Sequence, residues 1–168
     1  NVDMTDNAAG IFGGAVAASS VGTLRMRRSR LHRNTVADPD AVGGGAVSVG
    51  SGVNATFVDT DCIGNRANDG AQSDGGCFRV VGVGASLDVT GGIISGNRAG
   101  RNGGAVHCDS GDTVSLDSVV AVDENVAGAD GGGVHLAGCS APFVTGVRCD
   151  AGTALEGSVH VSVFSCQF

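Results

Sequence analysis

A glycine pair that returns in phase narrows the possible folds of this chain more than any other feature. Gly-Gly followed by a small and an apolar residue occurs at Gly13-Gly14-Ala15-Val16, Gly44-Gly45-Ala46-Val47, Gly75-Gly76-Cys77-Phe78, Gly103-Gly104-Ala105-Val106 and Gly131-Gly132-Gly133-Val134. It decays to Glu156-Gly157-Ser158-Val159. The steps between copies are 31, 31, 28, 28 and 25 residues. A second motif precedes each copy: an apolar residue, two variable residues, then Asn. It runs from Met4 to Asn7, Leu31 to Asn34, Cys62 to Asn65, Ile94 to Asn97 and Val122 to Asn125, with Val147 to Asp150 as a variant. Two motifs that stay in phase are the mark of a repeat architecture.

Inside each repeat the apolar residues alternate. Val47 and Val49, Phe78 and Val80, Val106 and Cys108, Val134 and Leu136 follow the glycine pairs. A second alternation follows at Leu24 and Met26, Ala55 and Phe57, Leu87 and Val89, Val114 and Leu116. A period of two means strand, and Gly, Asn and Asp clusters between these stretches supply turns. A unit of this length, built only from two or three short strands, cannot bury its own apolar side. Stacked units can, each strand pairing with its copy in the next coil. The expectation is an all-β fold, a right-handed parallel β-helix of about six coils, three-sided, with roughly 25–32 residues per coil. The chain 1–168 reads as a single β-helix domain, a segment of a longer chain or one subunit of an assembly.

The paired signature resembles the repeats of the chlamydial polymorphic outer-membrane protein family, in which Gly-Gly-Ala-Ile accompanies Phe-x-x-Asn. The resemblance implies a secreted or surface-exposed scaffold used in adhesion, located outside the cell or at its surface.

The repeated residues have backbone work to do. Asn7, Asn34, Asn65, Asn97 and Asn125 are expected to stack as a structural ladder at one corner, because Asn tolerates the left-handed conformation and its amide can bond the copy above and below. Alternation turns Arg79, His107, His135 and His160 outward if Val106 and Val134 face inward. His107, His135 and His160 are the weak metal candidates, but no Cys or carboxylate completes a site, so a solvated column of stacked imidazoles is expected and no cofactor. Arg25, Arg27, Arg28, Arg30 and Arg33 form the chain's basic cluster. Arg28 aligns with Asp59 and Arg30 with Asp61, which suggests cross-coil charge pairing. Arg25, Arg27 and Arg33 have no obvious acid opposite and suggest a docking patch for an acidic protein partner.

Other classes fit less well. With 17 acids, 10 Arg, no Lys, Trp or Tyr and a formal charge of −7, the chain lacks the basic surface and stacking aromatics of a nucleic-acid binder. No apolar run is long enough for a spanning helix. An enzyme acting on acidic polysaccharide would need paired carboxylates on an exposed face. Asp59 with Asp61, Asp109 with Asp112, and Asp38 with Asp40 are the pairs available, and no long loops or aromatic platform accompany them. The reading is therefore non-enzymatic. The alternatives are a carbohydrate-active β-helix, or an accessory subunit docked through the Arg-rich coil. Of six cysteines, Cys62 and Cys108 read as small buried apolar residues, while Cys139 and Cys149 suggest a disulfide. No capping element is evident at either end, so self-association or cover by another subunit is expected there.

Overall fold

The computed structural model describes residues 1–38, 40–68, 72–109, 112–118 and 121–140, with the strand backbones 144–145 and 153–154. Every regular element described is a short strand, and every pairing between strands is parallel. The strands stack into four ladders. The first face comprises Asp3–Thr5, Arg30–His32, Asp61–Ile63, Ile93–Ser95 and Ala121–Asp123. The second comprises Ala8–Ala9, Thr35–Val36, Arg66–Ala67, Arg98–Ala99, Val126–Ala127 and Thr153–Ala154. The third comprises Val16–Ala18, Val47–Val49, Phe78–Val80, Val106–Cys108 and Val134–Leu136. The fourth and longest comprises Gly22–Arg27, Val53–Val58, Ser86–Thr90, Thr113–Asp117 and Val144–Thr145. This is a parallel β-solenoid.

Two expectations need correction. The described strands amount to about four full turns, since three of the ladders are five strands deep, rather than six coils. Most of the sixth repeat lies outside the described residues. Each coil also has four strands where two or three were expected. The reason is a second corner with left-handed backbone between the fourth and first faces, at Arg28, Asp59, Gly91 and Ser118 (φ 48°, 48°, 68° and 51°). Neither motif marks that corner.

The interior is filled in layers. Leu31, Cys62, Ile94 and Val122 line the first face; Val47, Val49, Phe78, Val80 and Val106 the third; Ala55, Phe57, Leu87, Val89, Val114 and Leu116 the fourth. Phe57 and Phe78 meet edge to face with ring centres 4.9 Å apart. The second face is lined by Val36, Ala67, Ala99 and Ala127, and their small side chains hold this face close to the axis.

The second glycine of each pair holds the coils at strand spacing. A Cβ on Gly104 would land on the carbonyl oxygen of Gly132 and within 2.6 Å of the Val126 amide nitrogen. Gly45 and Gly76 stand in the same relation to Gly76 and Gly104. Only a residue without a side chain fits where backbone faces backbone. The first glycine has a different role in the later coils: Gly75, Gly103 and Gly131 adopt φ of 68°, 64° and 64°.

Candidate functional site

The asparagines stand one above another between the first and second faces. Asn7 Nδ2 donates to Asn34 Oδ1 at 2.9 Å, Asn34 to Asn65 at 2.9 Å, Asn65 to Asn97 at 3.0 Å and Asn97 to Asn125 at 2.9 Å. Each acceptor oxygen also takes the backbone N–H of the preceding Asn. The second amide hydrogen reaches back one coil, from Asn34 to Met4 O, Asn65 to Leu31 O, Asn97 to Cys62 O and Asn125 to Ile94 O. The backbone at this corner differs from expectation. The left-handed residue is the one before each Asn: Asp6, Arg33, Gly64, Gly96 and Glu124. The Asn contributes its side chain, not a special φ. With its interior donors satisfied inside the fold, this column offers nothing to a ligand.

The arginines divide over two faces. Arg25 and Arg27 stand exposed on the fourth face of the first coil. Arg28 occupies the left-handed corner, and Arg30 begins the next strand of the first face. Arg30 is in register with Asp61. No ion pair links them; Asp61 Oδ1 accepts the Ile93 amide at 3.2 Å. Arg28 and Asp59 likewise make no ion pair among the described residues. Arg33 does have an acid opposite: its guanidinium grips Asp6 with two bonds of 2.7 Å. That contact holds the Asp6 carboxyl below the usual carboxylate range. The Met4-to-Asn7 motif aligned the asparagines, but it left the residue before each Asn, and hence this pair, unread.

The histidine column also departs from expectation. Arg79, His107 and His135 are in register on the outer side of the third face, and yet His107 is only 3 % exposed. His107 and His135 stack with ring centres 5.1 Å apart, and their Nδ1 atoms lie 3.2 Å from each other, within hydrogen-bond reach when one ring carries its proton there. Asp74, itself fully buried, sits at the centre of a charge cluster on this face. Its carboxylate takes a two-pronged bond from Arg101, whose Nε lies 2.8 Å from Oδ1, and it accepts the Asn102 amide at 3.1 Å. His107 Nε2 lies 3.7 Å and Arg79 Nε 3.9 Å from Asp74 Oδ2, and neither nitrogen has a hydrogen-bond partner among the described residues. Burial pushes the His107 pKa down to about 4 against the pull of Asp74. Burial also lowers Arg79, while the bond to Asp74 raises Arg101. Asp74 and Arg101 went unread in the sequence, and Arg79 was read only as an outward residue, because only this copy combines Asp before the glycine pair with Arg in the strand that follows.

Two imidazoles supply two of the four donors that a tetrahedral metal requires. Among the described residues no group of three or more His, Cys, Asp or Glu is placed to hold a metal ion, and His160 lies outside them. In each of the remaining carboxylate pairs one member accepts a backbone amide: Asp38 from Asp40, Asp61 from Ile93 and buried Asp112 from Ala85 at 3.0 Å. Asp59 lies against Gly91 at the corner. The cysteines pair differently from expectation. Cys62 bonds to Cys77 across the interior of one coil, and Cys108 bonds to Cys139 in the next coil, with Cα atoms 6.3 Å and 6.2 Å apart. Cys139 is thus taken by Cys108, and Cys149 lies outside the described residues. No helix among the described residues is long and apolar enough to cross a membrane.

Residues 91–109 match the model of the Chlamydia polymorphic membrane protein repeat. The matched segment runs from the Ile93–Ser95 strand through Asn97 and Gly103-Gly104 to the Val106–Cys108 strand. It therefore spans one copy of both motifs. No curated protein and no solved structure matches the chain.

Proposed function

We propose that this chain is a non-enzymatic scaffold outside the cell or at its surface, whose flat repeated faces make assembly or adhesive contacts. The single observation that carries this reading is where the polar chemistry goes. The Asn column, the Asp74 cluster and the carboxylates of Asp61 and Asp112 are all spent on holding coils together. What remains for the outside is shape and surface charge. The repeat match at 91–109 and two disulfides support an exported location.

The exposed arginines of the first coil are the contact surface. Residues 1–33 contain five Arg against two Asp, while the rest of the chain contains five Arg against fifteen acids. Among the described residues, Arg25, Arg27, Arg28 and Arg30 are not consumed by ion pairs, so an acidic protein surface, or a larger complex that carries one, is the natural partner. Immobilised polyglutamate is a direct probe. The chain should bind it at low ionic strength, and replacing these four arginines together with Glu should abolish binding while leaving the circular dichroism unchanged. Equal binding by that variant overturns the docking surface. Release of reducing ends from polygalacturonate by the purified chain overturns the non-enzymatic reading.

A further inference from the structure

The outer side of the fourth face is self-complementary over its first three coils. Register aligns three columns of outward residues: Thr23, Asn54 and Ser86; Arg25, Thr56 and Asp88; Arg27, Val58 and Thr90. Arg25 and Asp88 are exposed and stand one coil either side of Thr56. Neither makes an ion pair or side-chain hydrogen bond with a described residue. Val21 and Val83 border this face in the first and third coils: Val21 precedes Gly22, which is in register with Val53, and the Val83 carbonyl accepts the Gly52 amide at 3.1 Å. At 91 % and 87 % exposure they are the two most exposed large apolar residues described, and nothing in the fold requires them to be apolar.

We propose that a second copy of this chain docks on this face in an antiparallel, two-fold arrangement, with the axis running along the Val53–Val58 strand. A two-fold axis parallel to the strands keeps each column opposite itself and reverses the order of coils. Arg25 then meets Asp88 of the other copy, Asp88 meets Arg25, Thr56 meets Thr56, and the exposed Val21 and Val83 come to the same border of the contact. An axis through the neighbouring strands loses these matches. The proposal deepens the reading of the arginines as a docking surface and rests on it, for it names the acidic partner: the copy's own third coil.

The contact is small. Three strands about 4.8 Å apart and about 20 Å long give a footprint of roughly 300 Å² per copy, well under the ~800 Å² per partner of a stable complex. The dimer is therefore weak and salt-sensitive in free solution, and it becomes populated where many copies share one surface and raise each other's effective concentration.

Sedimentation equilibrium of the full chain at low and high salt tests this. Wild type should self-associate at low salt and dissociate at high salt. Arg25→Asp and Asp88→Arg should each weaken association roughly tenfold or more, since each change places like charges at both ends of the contact. Mixing the two variants should restore a dimer. At one end of the mixed contact the introduced carboxylate faces the introduced guanidinium, and at the other the native Asp88 faces the native Arg25. Thr56→Cys should oxidise to a covalent dimer, and Ser115→Cys, two coils away in the same column, should not. Monomer at every concentration, or failure of the mixed variants to associate, overturns the proposal. Polyglutamate binding that persists alongside a monomeric wild type would leave the docking surface standing and remove only the second copy as its occupant.

Discussion

Replacing Asn65 with Ala tests whether the asparagine column is a continuous strut or a set of separable contacts. Asn65 Oδ1 accepts from the backbone and side-chain nitrogens of Asn34 at 2.9 Å each. Its Nδ2 donates to Leu31 O at 2.8 Å and Asn97 Oδ1 at 3.0 Å. Asn34 Nδ2 keeps Met4 O, and Asn97 Oδ1 keeps the Asn65 N–H. The fully buried Asn34 N–H loses its partner outright, while the Leu31 carbonyl loses its side-chain bond and keeps its place in the first-face ladder. At about 1–3 kcal/mol for the buried group left unsatisfied and about 1 kcal/mol for the hydrogen bond given up at Leu31, the expected loss is about 2–4 kcal/mol. Asn7, at the exposed start of the column, only donates to Asn34, so Asn7→Ala should cost about 1 kcal/mol. Guanidinium unfolding of both variants, disulfides intact, measures the difference. Equal losses for Asn65→Ala and Asn7→Ala would refute the argument that burial and two-sided bonding give the interior rungs their weight. Asn65→Asp supplies a finer check, because a carboxylate can accept from Asn34 but cannot donate to Leu31 or Asn97. It should be more damaging at neutral pH than at a pH that protonates the new acid.

Gly104→Ala should unfold or badly destabilise the chain, because its Cβ meets Gly132 backbone, whereas Gly10→Ala faces open space and should change the denaturation midpoint little. His107 is held neutral in the folded state, so acidification should protonate it in the unfolded chain first. Stability from this group is full above pH 6.5 and is lost as pH falls from 6.5 towards about 4. The loss should approach about 3 kcal/mol, be visible as a falling denaturation midpoint, and disappear in His107→Gln. Asp74→Asn should leave the Arg101 and Arg79 guanidinium groups without their buried anion and cost about 3–5 kcal/mol in the same assay. Alkylation without reductant followed by peptide mapping should recover Cys62 linked to Cys77 and Cys108 linked to Cys139. Reduction should then lower stability by about 2–4 kcal/mol per bridge.

The coil, its register and the two repeated corners are visible in the amino-acid order alone, for a local reason. A glycine whose missing Cβ lets backbones touch, and an asparagine that bonds its own copy, must recur at every turn, so period and phase are written wherever they appear. Which side chain faces inward follows from alternation within each strand. What happens on the outside depends instead on single residues that no other repeat duplicates. Asp74 reaches Arg101 and Arg79 because parallel stacking brings positions 27 and 5 residues away in sequence to one place. That cluster closes over His107, an outward residue by alternation, and buries it. Arg33 finds Asp6 by the same route, one coil away. The disulfides, too, were decided in three dimensions: inward placement makes a cysteine resemble any small apolar residue, and only the packed interior brings Cys62 to Cys77 and Cys108 to Cys139. Repetition can be read from a linear string, while contacts made once have to be seen in space.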